Sequence, residues 1–259
     1  MVTERFLPGV PGREIEGAYN AAPGNEIQNG KFDSPESSAR LAANTFGFFL
    51  SRLQELPPLP GCEDETWPAT SLALEREVRL PWRSGRHPVL DALVATPSAL
   101  IGIECKRFEP FRTNRVAPLS DAYWRPKWGD HMQSYERVRD RVRSEAGERY
   151  RLDAAQLFKH ALALRTQVHR PEEHLGSGLR PILLYVYAEP EAWPNTGEPV
   201  DHRAIADHRE EIEAFAEDVS QDEVRFVGLS YRKLLAEWRK SASPDVRKHA
   251  EAVLYWFAP

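Results

Sequence analysis

Cysteine is scarce in this chain, with only Cys62 and Cys105 among 259 residues. Two thiols cannot build the cross-linked framework of a small secreted domain, so a cytoplasmic location is expected. Long apolar runs are also missing. No stretch approaches the roughly 20 residues that span a bilayer, and the opening MVTERFLPGVPGREIEG has no leader-peptide core, so no membrane partner is expected. Internal repeats are absent, as are zinc-finger, helix-turn-helix and ATPase motifs. What remains is enough chain for a large core, read as a single domain over 1–259. Its core covers about 34–240, with an extended wrap over 1–33 and a C-terminal helix near 245–257.

The most informative stretch is PVLDALVATPSALIGIECK, residues 88–106. Val89–Ala95 and Leu100–Cys105 are apolar and aliphatic or β-branched, with a Thr-Pro-Ser turn between them, which predicts two strands of a hairpin. A four-residue loop, Thr96 to Ala99, pairs Ala95 with Leu100 and therefore Asp91 with Glu104. Glu104 and Lys106 lie two apart and share a strand face. Opposed side chains in such a ladder have Cβ atoms about 5 Å apart, where two carboxylates repel. Lys106 offers one compensating charge, and a divalent metal offers more. A buried ion network is the plainer alternative for the same three residues.

Pro88-Val89-Leu90-Asp91 followed by Glu104-Cys105-Lys106 resembles the PD-(D/E)xK nuclease superfamily. The stretch IGIECKRFEPF, 101–111, is similar to a family of uncharacterised bacterial proteins classed as restriction endonucleases. The specific part of the likeness covers about residues 75–190. It departs from the family pattern at one point, since Pro88 precedes Asp91 by three residues and there is no literal Pro-Asp pair. The resemblance implies a restriction-endonuclease-like α/β fold, a three-layer arrangement with a mixed central sheet. It also implies metal-dependent phosphodiester hydrolysis, with Asp91, Glu104 and the Cys105 backbone carbonyl holding Mg²⁺, or Mn²⁺ as a substitute, and Lys106 beside them. The helix after the Lys-bearing strand often supplies a glutamine or basic residue in this superfamily. Gln156 matches that role, with Gln133 as a rival.

The net charge of −5 is at odds with a polyanionic partner, but its distribution is not. Residues 76–180 carry 20 Lys and Arg against 13 Asp and Glu, whereas the remainder carries 14 against 26. Positive charge is thus concentrated around the proposed carboxylates, as a phosphate-tracking surface requires. Within 106–128, Arg112, Arg115, Arg125 and Lys127 are interleaved with Phe108, Phe111, Tyr123, Trp124 and Trp128. The basic residues are candidates for holding a nucleic-acid backbone, with DNA the favoured partner. The aromatics are read chiefly as packing.

Periodicity predicts a helix from Ser34-Pro35 to about Leu53 and a strand near Leu74–Trp82, followed by the hairpin. Helices follow at Asp130–Ser144 and Asp153–Val168, then a strand at Ile182–Ala188. Last come a helix over 201–219, a strand at Val224–Leu229, a helix from Ser230 and a final helix carrying Val246, Ala250 and Leu254. Helices on both faces of one sheet are the expected outcome. Glu77, sharing a strand face with Arg79, is a candidate third carboxylate. Glu36 is read as an acid complementing a helix N-terminus. Gln156, Lys159 and His160 share a helix face beside the apolar stripe Leu157, Ala161, Leu164 and Val168, and His160 is read as an ordinary surface residue. Three functional classes fit: a DNA endonuclease of restriction, defence or repair type, a catalytically silent nucleic-acid-binding module, and an RNA-directed or exonucleolytic enzyme. Specificity would come from loops, a homodimer or a separate specificity or defence-system subunit.

Overall fold

The computed structural model describes residues 5–82, 85–112, 119–125, 128–145, 150–170 and 176–259. Among these, the chain runs α1 (Gly12–Ala21), α2 (Ser38–Phe46), β1 (Ser71–Glu77), β2 (Val89–Ala95), β3 (Ala99–Lys106), α3 (Gln133–Ser144) and α4 (Ala154–Val168). It continues with β4 (Arg180–Tyr187), α5 (His202–Asp218), β5 (Arg225–Ser230), α6 (Tyr231–Trp238) and α7 (Pro244–Phe257). The strands form one open sheet in the order β1-β2-β3-β4-β5. The pairs β1/β2 and β2/β3 are antiparallel, while β3/β4 and β4/β5 are parallel.

Strand alternation divides the apolar residues between two cores. Ala92, Val94, Ile101, Ile103, Leu184 and Val186 pack against α1, α2, α6 and α7. Leu93, Ala95, Leu100, Leu183 and Tyr185 pack against α3, α4 and α5 on the opposite face. The outcome is a three-layer α/β arrangement around a mixed sheet, with the hairpin register as predicted: Ala95 pairs with Leu100 and Ala92 with Ile103.

Three expectations from the sequence are corrected. Residues 1–33 are not simply an extended wrap, because α1 lies within them. Ile15 and Tyr19, four apart, bury one helix face; the Tyr19 hydroxyl donates to the Ala39 carbonyl at 2.9 Å, and its ring meets Phe32 edge-on. The density of Gly and Pro around this helix concealed its short period. The second helix starts later than Ser34, because the Ser37 side chain accepts from Arg40 N–H and caps it. It also ends at Phe46, where the chain tightens into a 3-10 turn at Gly47–Phe49. β1 occupies 71–77 rather than 74–82.

Two features place the carboxyl end of β3. Arg107, directly after Lys106, is buried and donates its guanidinium to the carbonyls of Pro35 and Phe257. That ties the segment before α2 and the end of α7 to the end of the strand. At Gly102, a Cβ would lie 2.7 Å from Leu90 and 2.8 Å from Leu164, so only glycine lets α4 approach β3 this closely. One helical turn back from Leu164 is His160, and two strand residues on from Gly102 is Glu104. Four residues of helix and two of strand cover nearly the same length, about 6 Å, so His160 lies over Glu104.

Candidate active site

Glu104 and Lys106 stand at the carboxyl end of the parallel strand β3, the end at which open α/β sheets commonly bind ligands. Lys106 Nζ donates to Glu104 Oε1 at 2.5 Å, and the side chain of Glu104 is 4 % exposed. His160 Nε2 lies 3.0 Å from Glu104 Oε2 but off the line of a hydrogen bond, and its Nδ1 has no partner. Burial works against the charge on Glu104, yet Lys106 and His160 outweigh it and hold the carboxyl low. Burial also opposes the charge on Lys106, but Glu104, Glu109 and Asp91 push its ammonium further up.

The β2/β3 ladder ends at Ala92–Ile103, one rung before Asp91 and Glu104. There Asp91 Oδ2 accepts the Cys105 N–H at 2.6 Å, so the side chain closes the gap between diverging strands. Asp91 is in a very different electrostatic state from Glu104. Burial, then Glu104 and Glu75, raise its pKa far above the usual carboxyl range, and Lys106 compensates only in part.

Glu75, not Glu77, is the carboxyl that β1 brings beside Asp91 and Glu104. Both strands exchange their faces at one rung. Leu74 and Ala92 belong to one core, whereas Val78, Leu80 and Leu90 belong to the other. Between them, Glu75 lies opposite Asp91, flanked by the paired rungs Leu74–Ala92 and Arg76–Leu90. Its φ of +49 is unusual for a residue with a Cβ and breaks the alternation. Glu77 therefore ends up exposed and outside the cleft. Burial, with Glu26 and Glu104, raises Glu75 to about 7 against a lowering contribution from Tyr19. The adjacent acids Glu75 and Glu77 were visible in the sequence, but period-two reasoning chooses between them only in an undistorted strand.

These groups line a cleft of about 590 Å³. Its walls include Glu26, Lys31, Glu36 and Ser38 from the N-terminal side, Glu109 and Arg112 after β3, and Gln156 from α4. Gln156 lines the cleft, while its rival Gln133 does not. His160 is buried rather than an ordinary surface residue. Its spacing of three from Leu157 and four from Leu164 already placed it at the edge of the buried stripe. Glu36 precedes the cap of α2 and pairs with Arg112, while also accepting from Asn195 Nδ2 at 2.8 Å. Arg112 is half-exposed and lies over the Trp193 ring. Arg125 is exposed and does not line the cleft. Arg115 and Lys127 lie outside the described residues. Phe108, Phe111, Tyr123 and Trp128 are buried, which agrees with packing as their main role.

The donor chemistry fits a hard cation. Asp91, Glu104 and the Cys105 carbonyl offer oxygen only, and Mg²⁺ or Mn²⁺ is commonly held by one or two carboxylates with the balance from water. Among the described residues no three His, Cys, Asp or Glu side chains are grouped so as to hold a metal ion. The raised carboxyl of Asp91 marks negative charge for which Lys106 alone is insufficient. Among the described residues no helix is long and apolar enough to cross a membrane. No family model, curated protein or solved structure matches the chain.

Proposed function

We propose that this protein is a metal-dependent nuclease that hydrolyses phosphodiester bonds, with DNA as substrate and endonucleolytic cleavage in restriction, defence or repair. The observation that supports the reading most strongly is the gathering of Glu75, Asp91 and Glu104 around Lys106 in one cleft at the end of β3. Asp91 and Glu104, with the Cys105 carbonyl, would hold the metal. Bound there, Mg²⁺ would stabilise charge on the phosphate and lower the pKa of a coordinated water.

The remaining roles belong to the chain. Lys106 is fixed on Glu104 Oε1 and stays protonated at neutral pH, so it is a cation and not a base. It orients Glu104 and presents positive charge toward the position of a scissile phosphate. Asp91 is oriented by the Cys105 N–H, and a cation bound there would favour its carboxylate form. Gln156, at the cleft wall, can donate its amide to a phosphate oxygen or to the attacking water.

The test is to incubate the purified protein with supercoiled DNA, linear DNA and RNA in the presence of Mg²⁺, Mn²⁺ or EDTA. Metal-dependent nicking or linearisation of the supercoiled form is the expected result. Cleavage of RNA alone, or from ends alone, would reassign the substrate or mode, and absence of any cleavage with either metal would reject the enzyme reading.

A further inference from the structure

His160, whose Nε2 lies 3.0 Å from Glu104 Oε2, also lines a second compartment, of about 410 Å³, walled by Arg86, His87, Tyr123, Gln156 and Lys159 as well. This compartment shares Val89 and Gln156 with the carboxylate cleft, so the two spaces meet along the edge of β2 and the first turn of α4. Their charges are opposite in character. The cleft gathers Glu26, Glu36, Glu75, Asp91, Glu104 and Glu109 against Lys31, Lys106 and Arg112. The second compartment sets Arg86 and Lys159 against a single acid, Asp153, whose carboxylate is already occupied in accepting the Gln156 N–H at 2.9 Å. Neither Arg86 nor Lys159 forms an ion pair with a described residue. His87 accepts the Leu80 N–H through Nδ1 at 3.2 Å, leaving Nε2 as its second polar atom. His160, 1 % exposed, brings an Nδ1 without a partner to the same wall.

A single phosphodiester needs only the acidic cleft and its metal. Unpaired cations beside that cleft serve a substrate that carries another negative charge close to the reacting one. Resting on the nuclease reading, we propose that the Arg86–Lys159 compartment binds a neighbouring phosphate of a polynucleotide strand whose scissile phosphate sits at Asp91 and Glu104. The substrate is then a chain, held in both spaces, and the shared chemistry of DNA and RNA backbones is what the compartment recognises.

The experiment compares the parent with the double variant Arg86→Gln, Lys159→Gln and with a charge-matched control, Lys233→Gln, Lys248→Gln, on α6 and α7. Two substrates are cleaved with Mg²⁺ or Mn²⁺: a short oligonucleotide and bis(p-nitrophenyl) phosphate, which has one phosphodiester only. The ratio of kcat/KM for the oligonucleotide to that for the single ester should fall about tenfold or more in the double variant and stay unchanged in the control. Binding of fluorescein-labelled single-stranded DNA and RNA, followed by anisotropy in EDTA, should weaken by a similar factor. The slope of log affinity against log salt should flatten by about 0.7 for each phosphate that the variant no longer neutralises. Equal losses for both polymers identify backbone recognition, and a loss confined to one assigns the compartment to that polymer. An unchanged ratio together with unchanged binding would overturn the proposal. If the parent cleaves neither substrate, the nuclease reading fails, and the anisotropy arm still decides whether this compartment binds a phosphate chain.

Discussion

Two carboxyl sites sit at opposite ends of the same sheet and are built on opposite principles. At the amino ends of β4 and β5, Glu65 is buried with its side chain 1 % exposed. It accepts from Arg180 at 2.7 Å, from Arg225 at 3.3 Å and from Ser98 Oγ at 2.7 Å. Every charge there has a partner of the opposite sign, as a structural buried acid requires. At the carboxyl end of β3, Glu104 holds Lys106 and His160, whereas Asp91 feels only the charge of Lys106 and is left with its pKa far above the ordinary range, beside Glu75. The deficit at the second end is the ground on which a cation is proposed there.

The largest expected effect separates the two ends by activity. Asp91→Ala and Lys106→Ala should each lower metal-dependent DNA cleavage by about a thousandfold or more, with an unchanged far-UV circular dichroism spectrum. Glu65→Gln should leave kcat intact. Full activity in Lys106→Ala would remove the lysine from the mechanism, and cleavage insensitive to EDTA would remove the metal.

Stability should then move in opposite directions. Glu65→Ala removes the partner of two arginines and should cost about 2 kcal/mol, since both guanidiniums are partly exposed and can recover water. Thermal denaturation should show this as a fall of roughly 4–8 °C. Asp91→Asn should instead raise the metal-free Tm at pH 7 by about 2–8 °C, because the amide can still accept the Cys105 N–H without carrying a charge. The sign follows from linkage. The folded protein holds the Asp91 proton where the unfolded chain releases it, so the cost grows as pH rises above the unfolded value near 4. The advantage of Asp91→Asn should therefore shrink below about pH 4. Glu75→Gln should gain between the ordinary carboxyl value and about 7, then level off. Added Mg²⁺ should raise the parent Tm and fail to raise that of Asp91→Asn. A destabilised Asp91→Asn at neutral pH would show that the two ends are alike after all.

The smallest effect concerns the mouth of the cleft. Glu36 neutralises Arg112, the one described arginine of the basic loop that lines the cleft. Glu36→Gln should free that guanidinium and tighten DNA binding two- to fivefold, about 1 kcal/mol or less for a partly exposed pair. Anisotropy at low salt measures it, and unchanged affinity would mean that Arg112 faces no phosphate.

Much of the site is legible in the residues themselves. The two apolar runs and the turn between them determine the hairpin and its register, with side chains alternating between the two cores over Ala92–Ala95 and Leu100–Cys105. The same alternation puts Glu104 and Lys106 together at a strand end, and helical spacing puts Gln156 and His160 on one stretch of α4. Tertiary structure decided what those periods cannot carry. A single left-handed residue exchanged Glu77 for Glu75, because alternation predicts a face only while each φ stays in the extended range. The absence of a side chain at Gly102 drew α4 close enough to bury His160 against Glu104. Whether an acid is compensated was also a tertiary matter: Glu65 meets arginines 115 and 160 residues away in sequence, and Asp91 meets too few cations, because charge pairing is set by distance in space.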